Sequence, residues 1–192
     1  MRLIPALAMF LLISCTPHDD EPDRVEIPFF FVATINSQTI GFAGGDFQDS
    51  LYSNMPYSET TQLAADTFYV HEGTSIVQAG NNAAARVGIT GMFDHLPSAD
   101  ERRSMFFTGF HPFASDTAGG AAVYFRDGNG VEWSTLNHAQ SDTSFRIEML
   151  SPLSDTAATA LFQASFSCRL FNAAGDSLNL VNGSVRGKLF KP

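Results

Sequence analysis

This sequence predicts an all-β chain: an antiparallel β-sandwich of about 9–11 strands behind an amino-terminal signal segment and a short tether. Three observations predict it. The first is composition, since 18 Phe, 15 Gly and 9 Pro in 192 residues favour extended chain and turns over a helical bundle. The second is period: from Val25 onward no segment holds apolar residues at helical spacing for three turns, while alternation of apolar and polar residues recurs. The third is punctuation. Asn36-Ser37, Glu72-Gly73, Asp127-Gly128-Asn129-Gly130 and Ala174-Gly175-Asp176 offer the positive-φ positions that tight hairpins require.

Size and charge bound the rest. A chain of 192 residues is one ordinary domain, able to bury roughly 70% of its unfolded surface without a disulfide framework or structural metal. With 44% hydrophobic residues and a mean hydropathy of zero, it is too apolar for a disordered chain and too polar for an integral membrane protein. Twenty acidic against 11 basic side chains give a formal charge of −9, which argues against a nucleic-acid partner, because phosphate binding needs clustered Lys and Arg.

Residues 1–14 read as a signal segment: Arg2 supplies the positive start, and Leu3, Ile4, Leu7, Met9, Phe10, Leu11, Leu12 and Ile13 the apolar run. The run is shorter than the roughly 20 residues a spanning helix needs. Its end, Leu12-Ile13-Ser14-Cys15, resembles the bacterial lipobox, in which a small residue precedes the cysteine that is acylated and becomes the new amino terminus. Cys15 is therefore the expected lipidation site, and two or more acyl chains suffice for stable anchoring. Residues 15–27 form the tether, extended by repulsion among Asp19, Asp20, Glu21 and Asp23. These four acids, together with Glu26, thus belong to the tether rather than to the folded body, residues 28–192.

Strands are expected at 28–35, 39–43, 67–71, 75–79, 86–92, 105–110, 120–126, 131–136, 144–150, 160–172 and 177–190. One helical turn is expected at 99–103, where Ser98 and Glu101 have capping-box spacing, and another within 59–65. In the last strand Leu178 and Leu180 are even but Val185 and Leu189 odd, so a β-bulge at Asn182-Gly183 would restore one continuous inner face. Phe162, Ala164, Phe166, Cys168 and Leu170 share a face, which makes Cys168 a small buried hydrophobe rather than a reactive thiol.

The order of these pieces resembles a family of Bacteroidota outer-membrane lipoproteins built on one β-sandwich and lacking an assigned activity. The resemblance runs from Phe31-Val32-Ala33-Thr34-Ile35-Asn36 through Arg86-Val87-Gly88-Ile89-Thr90-Gly91, Ala122-Val123-Tyr124-Phe125 and Ser144-Phe145-Arg146-Ile147. It is clearest in Ala164-Ser165-Phe166-Ser167 and in the run Gly175-Asp176-Ser177-Leu178-Asn179-Leu180-Val181-Asn182-Gly183-Ser184-Val185. It implies a sandwich held at the outer membrane by its lipid, and the acids after Cys15 resemble the signal that sends such lipoproteins to the cell exterior. It carries no catalytic residue. Exported proteins of these bacteria are commonly O-glycosylated at Asp-Ser or Asp-Thr before a small or aliphatic residue, which marks Ser50, Thr117, Thr156 and Ser177 as candidate sites.

The chemistry-bearing residues form no catalytic or metal motif. His18, His71, His95, His111 and His138 show no i,i+2 or i,i+4 pair, so neither a metal nor a cofactor is expected. Asp127-Gly128-Asn129-Gly130-Val131-Glu132 lacks the spacing of an EF-hand and reads as a hairpin turn with Glu132 facing solvent. Tyr52, Tyr57, Tyr69, Tyr124 and Trp133 are the residues from which an aromatic saccharide platform would be built, although parity with Val131 places Trp133 in the core. Tyr52 and Tyr57 lie in 46–66, the longest stretch without alternation and hence the expected binding loop.

The preferred reading is a non-catalytic binding or accessory module, anchored in the membrane through its lipid and facing an unidentified protein or glycan. The alternatives are a glycan-acting hydrolase using Asp94, Asp100 or Glu101 as converged carboxylates, and a structural subunit of a surface assembly marked by an unpaired strand edge.

Overall fold

The computed structural model describes residues 29–44, 52–80, 82–115, 118–136, 138–141, 143–152 and 159–190. The signal segment, the tether, Cys15, Ser50, Thr117 and Thr156 lie outside the described residues. The protein is nearly all β: β1 (Phe29–Ile35), β2 (Gln38–Gly44), β3 (Tyr52–Ala64), β4 (Thr67–Gln78), β5 (Ala84–Phe93), one short helix α1 (Ala99–Ser104), β6 (Gly109–Phe110), β7 (Gly120–Arg126), β8 (Glu132–Ser134), β9 (Ser144–Pro152), β10 (Thr159–Phe171) and β11 (Ser177–Phe190). Every pairing between these strands is antiparallel.

The strands make one eleven-stranded sheet in the order β2-β1-β11-β10-β8-β7-β5-β4-β3, with β9 on β10 and β6 on β9. Its weakest seam is at β8, which meets β10 through the single pair Phe171↔Ser134. There the sheet curls, and the two arms lay their apolar faces together. Phe31 of β1 stacks on Phe125 of β7 at 6.5 Å and 9°, and Phe42 of β2 on the same ring at 6.3 Å. Phe145, Phe162, Phe166, Val87, Val123 and Ile76 complete this core, all at 3% exposure or less. The alternating burial of β1, with Phe29, Phe31, Ala33 and Ile35 inward, is the period-two pattern that one covered face produces.

The expected turns form where the chain needs positive φ. Asn36 (φ 49°) and Ser37 (φ 67°) join β1 to β2 as a two-residue hairpin turn. Asp127 Oδ1 accepts from the N–H groups of Asn129 and Val131 in the β7–β8 turn, at 2.9 and 3.0 Å. The bulge is also present: between Val32↔Ser184 and Thr34↔Val181 one residue of β1, Ala33, faces two of β11, Asn182 and Gly183, and Asn182 has φ 52°. It delivers Leu180, Val185 and Leu189 to the same buried face. At α1 the capping box is complete, since Ser98 Oγ accepts from Glu101 N–H and the Ser98 N–H donates to Glu101 Oε2.

Four expectations are corrected. Residues 67–71 and 75–79 are one strand, because Glu72 and Gly73 remain in the ladder, each paired to both β3 and β5. Gly73 serves a close backbone approach instead of a turn: a Cβ there would lie 2.2 Å from the Val87 carbonyl oxygen. Residues 52–64, expected as loop and partly as helix, are the long edge strand β3, whose mostly exposed residues leave no apolar face to alternate. The strand expected at 105–110 shrinks to Gly109–Phe110, since Met105 caps α1. The strand at 131–136 shortens to Glu132–Ser134.

Candidate functional site

The arm made of β3, β4, β5, β7 and β8 buries one face and turns the other outward. Period two then sorts its residues: Ile76, Val87, Val123 and Phe125 go into the core, and His71, Ser75, Arg86 and Tyr124 to the outer face. The ladder sets them side by side, Ser75↔Arg86 across β4 and β5, Arg86↔Tyr124 across β5 and β7. Tyr57 arrives from β3 opposite Gly73, and the Gly73↔Gly88 pair leaves room for its ring to lie over the sheet.

These residues form one interlocked cluster. The Arg86 guanidinium lies 4.9 Å from the Tyr124 ring centroid and 5.5 Å from that of Tyr57, and its Nη1 donates to Glu59 Oε1 at 2.8 Å. Such cation–π contacts hold a guanidinium in place while leaving its N–H edge available. Tyr57 Oη and His71 Nε2 share a hydrogen bond at 2.5 Å, and the His71 ring packs edge-on to Tyr57 at 4.7 Å and against Tyr124 at 5.1 Å. His71 is 2% exposed.

Burial decides the protonation states. Desolvation, then the charge of Arg86, holds the His71 pKa down to about 3, so the ring is neutral at physiological pH. Burial also raises Tyr57, Tyr69 and Tyr124 above their ordinary value of 10, keeping all three hydroxyls protonated. The Tyr69 hydroxyl faces Thr90 and Tyr124 without reaching hydrogen-bond geometry with either. Neither His71 nor these tyrosines is poised to exchange a proton near neutrality. The cluster instead positions a permanent cation.

Beside Arg86 opens a groove of about 350 Å³, lined by Ser75, Arg86, Tyr124, Arg126, Glu132 and Trp133 among others. Its second cation, Arg126, donates from Nε to Asn82 O at 2.5 Å and leaves its Nη1 3.9 Å from Glu132 Oε1, beyond hydrogen-bond reach. Trp133 is half-buried on the core side of β8, and its Nε1 is a buried donor with no acceptor among the described residues.

The other candidate residues are placed as follows. Tyr52 opens β3, in a strand rather than a loop. Tyr57, Tyr69 and Tyr124 do converge, but Arg86 covers the faces of two of them, so they hold the cation instead of offering open rings. Ser177 is exposed at the start of β11, beside the Asn172–Asp176 turn. Asp94 and Glu101 are exposed and joined through His95, at 2.7 and 2.8 Å. Asp100 pairs with Arg103 at 3.0 Å, and none of these three carboxylates lines the groove. Glu132 faces solvent, Trp133 packs partly on the core, and Cys168 is free, buried and raised in pKa by that burial. A second cavity of about 320 Å³ is lined by His111 and His138, whose rings stack at 4.0 Å on Phe107 and Phe171 respectively. Among the described residues, no three His, Cys, Asp or Glu side chains gather as a metal site would require.

Arg86, His71, Glu59 and Arg126 were not singled out from sequence. The alternation Ala85-Arg86-Val87 already puts Arg86 opposite an apolar face, but its partners Glu59, Tyr57 and Tyr124 come from 27 to 38 positions away and only strand pairing brings them together. No protein-family model, curated protein or solved structure is recognisably similar to this chain.

Proposed function

We propose that the protein is a lipid-anchored binding module of the outer membrane, non-catalytic and facing the cell exterior, whose curled sheet works as a β-sandwich and whose ligand seats in the Arg86 groove. The observation that carries the binding reading is the position of Arg86: a guanidinium gripped by two tyrosine rings at the wall of a groove large enough for a small molecule. A fixed cation among neutral, desolvated tyrosines and histidine suits recognition, whereas hydrolysis requires a group able to exchange a proton near neutrality. The carboxylates considered for glycan cleavage are engaged in a surface network outside the groove.

The anchor rests on the lipobox at Leu12-Ile13-Ser14-Cys15, and the outward orientation on the acids that follow it. Exposure of Ser177 in the Asp176-Ser177-Leu178 tripeptide favours it as a glycan acceptor in the native host. Two measurements test the reading. Mass analysis of the amino-terminal peptide should show acylated Cys15, with Cys15→Ser releasing the chain from membranes. Calorimetric titration should show saturable binding of at least one member of a panel of small saccharides and organic acids, weakened by Arg86→Gln. An unacylated Cys15 would refute the anchor, and the absence of saturable binding across the panel, or binding unchanged in Arg86→Gln, would refute the groove as the binding site.

A further inference from the structure

Charge is spread unevenly over the two arms of the sheet. Residues 52–136 hold nine acidic and four basic side chains, whereas the four basic side chains of residues 143–190, Arg146, Arg169, Arg186 and Lys188, all lie on β9, β10 and β11. They alternate with the buried residues Phe145 and Ile147, Cys168 and Leu170, Val185 and Leu189, so period two turns all four to the outer face of that arm. Arg169 Nε donates there to Asn179 Oδ1 at 3.2 Å, and Arg186 stands between Phe30 and Gln163. Among the described residues Glu148 is the one strand carboxylate on this face, 3.8 Å from Arg146. Large apolar side chains are interleaved with the cations: Val32, Val181, Phe190 and Phe110 are 37, 43, 48 and 68% exposed, and the Arg146 guanidinium lies 5.2 Å from the Phe110 ring centroid.

We propose that this face docks on the anionic, phosphate-bearing surface of a lipid bilayer. Docking rests on the lipid anchor proposed above and fixes the orientation that an anchor alone leaves free. Strand β1 belongs to the same arm, and the chain from Cys15 to Phe29 spans at most about 50 Å, so the anchor keeps the face within reach of the bilayer. A bilayer surface uses both halves of the patch. Guanidinium groups pair with phosphate oxygens, each basic side chain strengthening attachment about fivefold, while Phe110 and Phe190 enter the boundary between headgroups and acyl chains. Residues 16–24 of the tether offer carboxylates to the cations but no large apolar side chain to Phe110 and Phe190, which favours the bilayer over the chain's own acids as the occupant.

The test places a polarity-sensitive dye on the acylated protein, at Val181→Cys on this face or at Thr60→Cys on exposed β3 as the control; Cys168 is buried and escapes the label. Each protein is reconstituted into vesicles of phosphatidylglycerol or of phosphatidylcholine, and flotation reports the anchor separately from the dye. The dye at position 181 should shift to the blue on phosphatidylglycerol alone, and added salt should reverse the shift while the protein still floats. Arg146→Gln combined with Arg169→Gln, both exposed, should weaken docking tenfold or more with flotation and melting temperature unchanged. Flotation without a shift at position 181, an equal shift on both lipids, or an equal shift at position 60 overturns docking by this face and leaves the anchor standing. A dye at position 181 that is shielded without vesicles, and freed when Asp19, Asp20, Glu21 and Asp23 are changed to Asn or Gln, assigns the face to the tether and overturns the bilayer as its occupant. Failure to float with either lipid overturns the anchor and the docking together.

Discussion

Asn54 Oδ1 accepts a hydrogen bond from the backbone N–H of Lys188 at 2.8 Å, tying edge strand β3 to β11 across the opening of the curled sheet. Lys188 lies beyond Phe30↔Arg186, the last pair that β1 offers β11, so a side chain from the opposite arm takes the place of a strand partner. The Asn54 Nδ2 donates in turn to Thr74 Oγ1 at 2.6 Å and Ser75 O at 3.2 Å, which leaves this buried amide satisfied. Asn54→Ala should therefore cost about 1–3 kcal/mol, because buried partners lose their bonds. Gly187→Ala should also destabilise, since its Cβ would stand 2.1 Å from Thr74 Oγ1 and 2.7 Å from Asn54 Nδ2 and would push the arms apart. Chemical denaturation checks both, and a Gly187→Ala protein as stable as the parent would contradict this account of how the arms meet.

Phe31 touches rings from both arms: Phe42 at 5.8 Å, Phe125 at 6.5 Å and Phe166 at 6.0 Å. It is fully buried, so truncation opens a cavity that surrounding strands cannot collapse into. Phe31→Ala should lose about 3–5 kcal/mol, and Phe31→Leu markedly less. The ratio of the two losses, read from unfolding midpoints, separates cavity formation from a general disturbance of β1.

Acid should unfold the protein partly through His71. Its folded pKa of about 3 lies below the ordinary 6.5, so between those values the unfolded chain binds a proton that the folded one refuses. Stability from this group is full above pH 6.5 and declines as pH falls, by about 1.4 kcal/mol per unit while the window lasts. His71→Gln keeps a hydrogen-bond partner for Tyr57 but cannot titrate. The variant should be less stable than the parent at pH 8 and show a shallower slope from pH 6.5 to 4; parallel slopes would exclude His71 as the titrating group.

The exposed network at α1 should respond in another direction. Asp94, then Glu101, raise the pKa of His95, so its contribution is full below 6.5 and fades as pH rises through the raised value. The carboxylates are lowered, Asp94 chiefly by His95 and Glu101 chiefly by the Ser98 N–H, and their contribution is lost only in stronger acid. His95→Ala should thus have a small, salt-sensitive effect at pH 5.5 that disappears by pH 8.5. Melting temperatures of the two proteins at both pH values decide it.

Cys168 should resist modification in the native state. The thiol is 4% exposed and its pKa is raised by desolvation, so the reactive thiolate is scarce. Maleimide labelling followed by peptide mass analysis should find Cys168 modified only once the chain unfolds; rapid labelling of the native protein would place the side chain at the surface.

Much of the fold is legible in the sequence, and for local reasons. Strands with one covered face announce themselves by alternation, as in Phe29–Ile35, and turns by residues that tolerate positive φ, as at Asn36-Ser37 and Gly175. The bulge was readable too, since a parity change between Leu180 and Val185 has few geometric remedies. What failed was equally physical. Strand β3 carries mostly exposed side chains and so leaves no hydrophobic period, and Gly73 looked like a turn because a glycine needed for close approach and one needed for positive φ are the same letter.

The sequence by itself determined the all-β class, the inward residues of most strands, the completed capping box of α1 and the burial of Cys168. Those outcomes depend on neighbours within a few positions or on which face meets water. Only the tertiary structure decided that Arg86 stands between Tyr57 and Tyr124, that His71 is sealed beneath them, and that Arg126 and Glu132 line the groove beside them. Those neighbours come from five different strands. Period two tells a residue which face it occupies, but strand order and register decide who shares that face, and they are set by the closing of the core on the opposite side of the sheet.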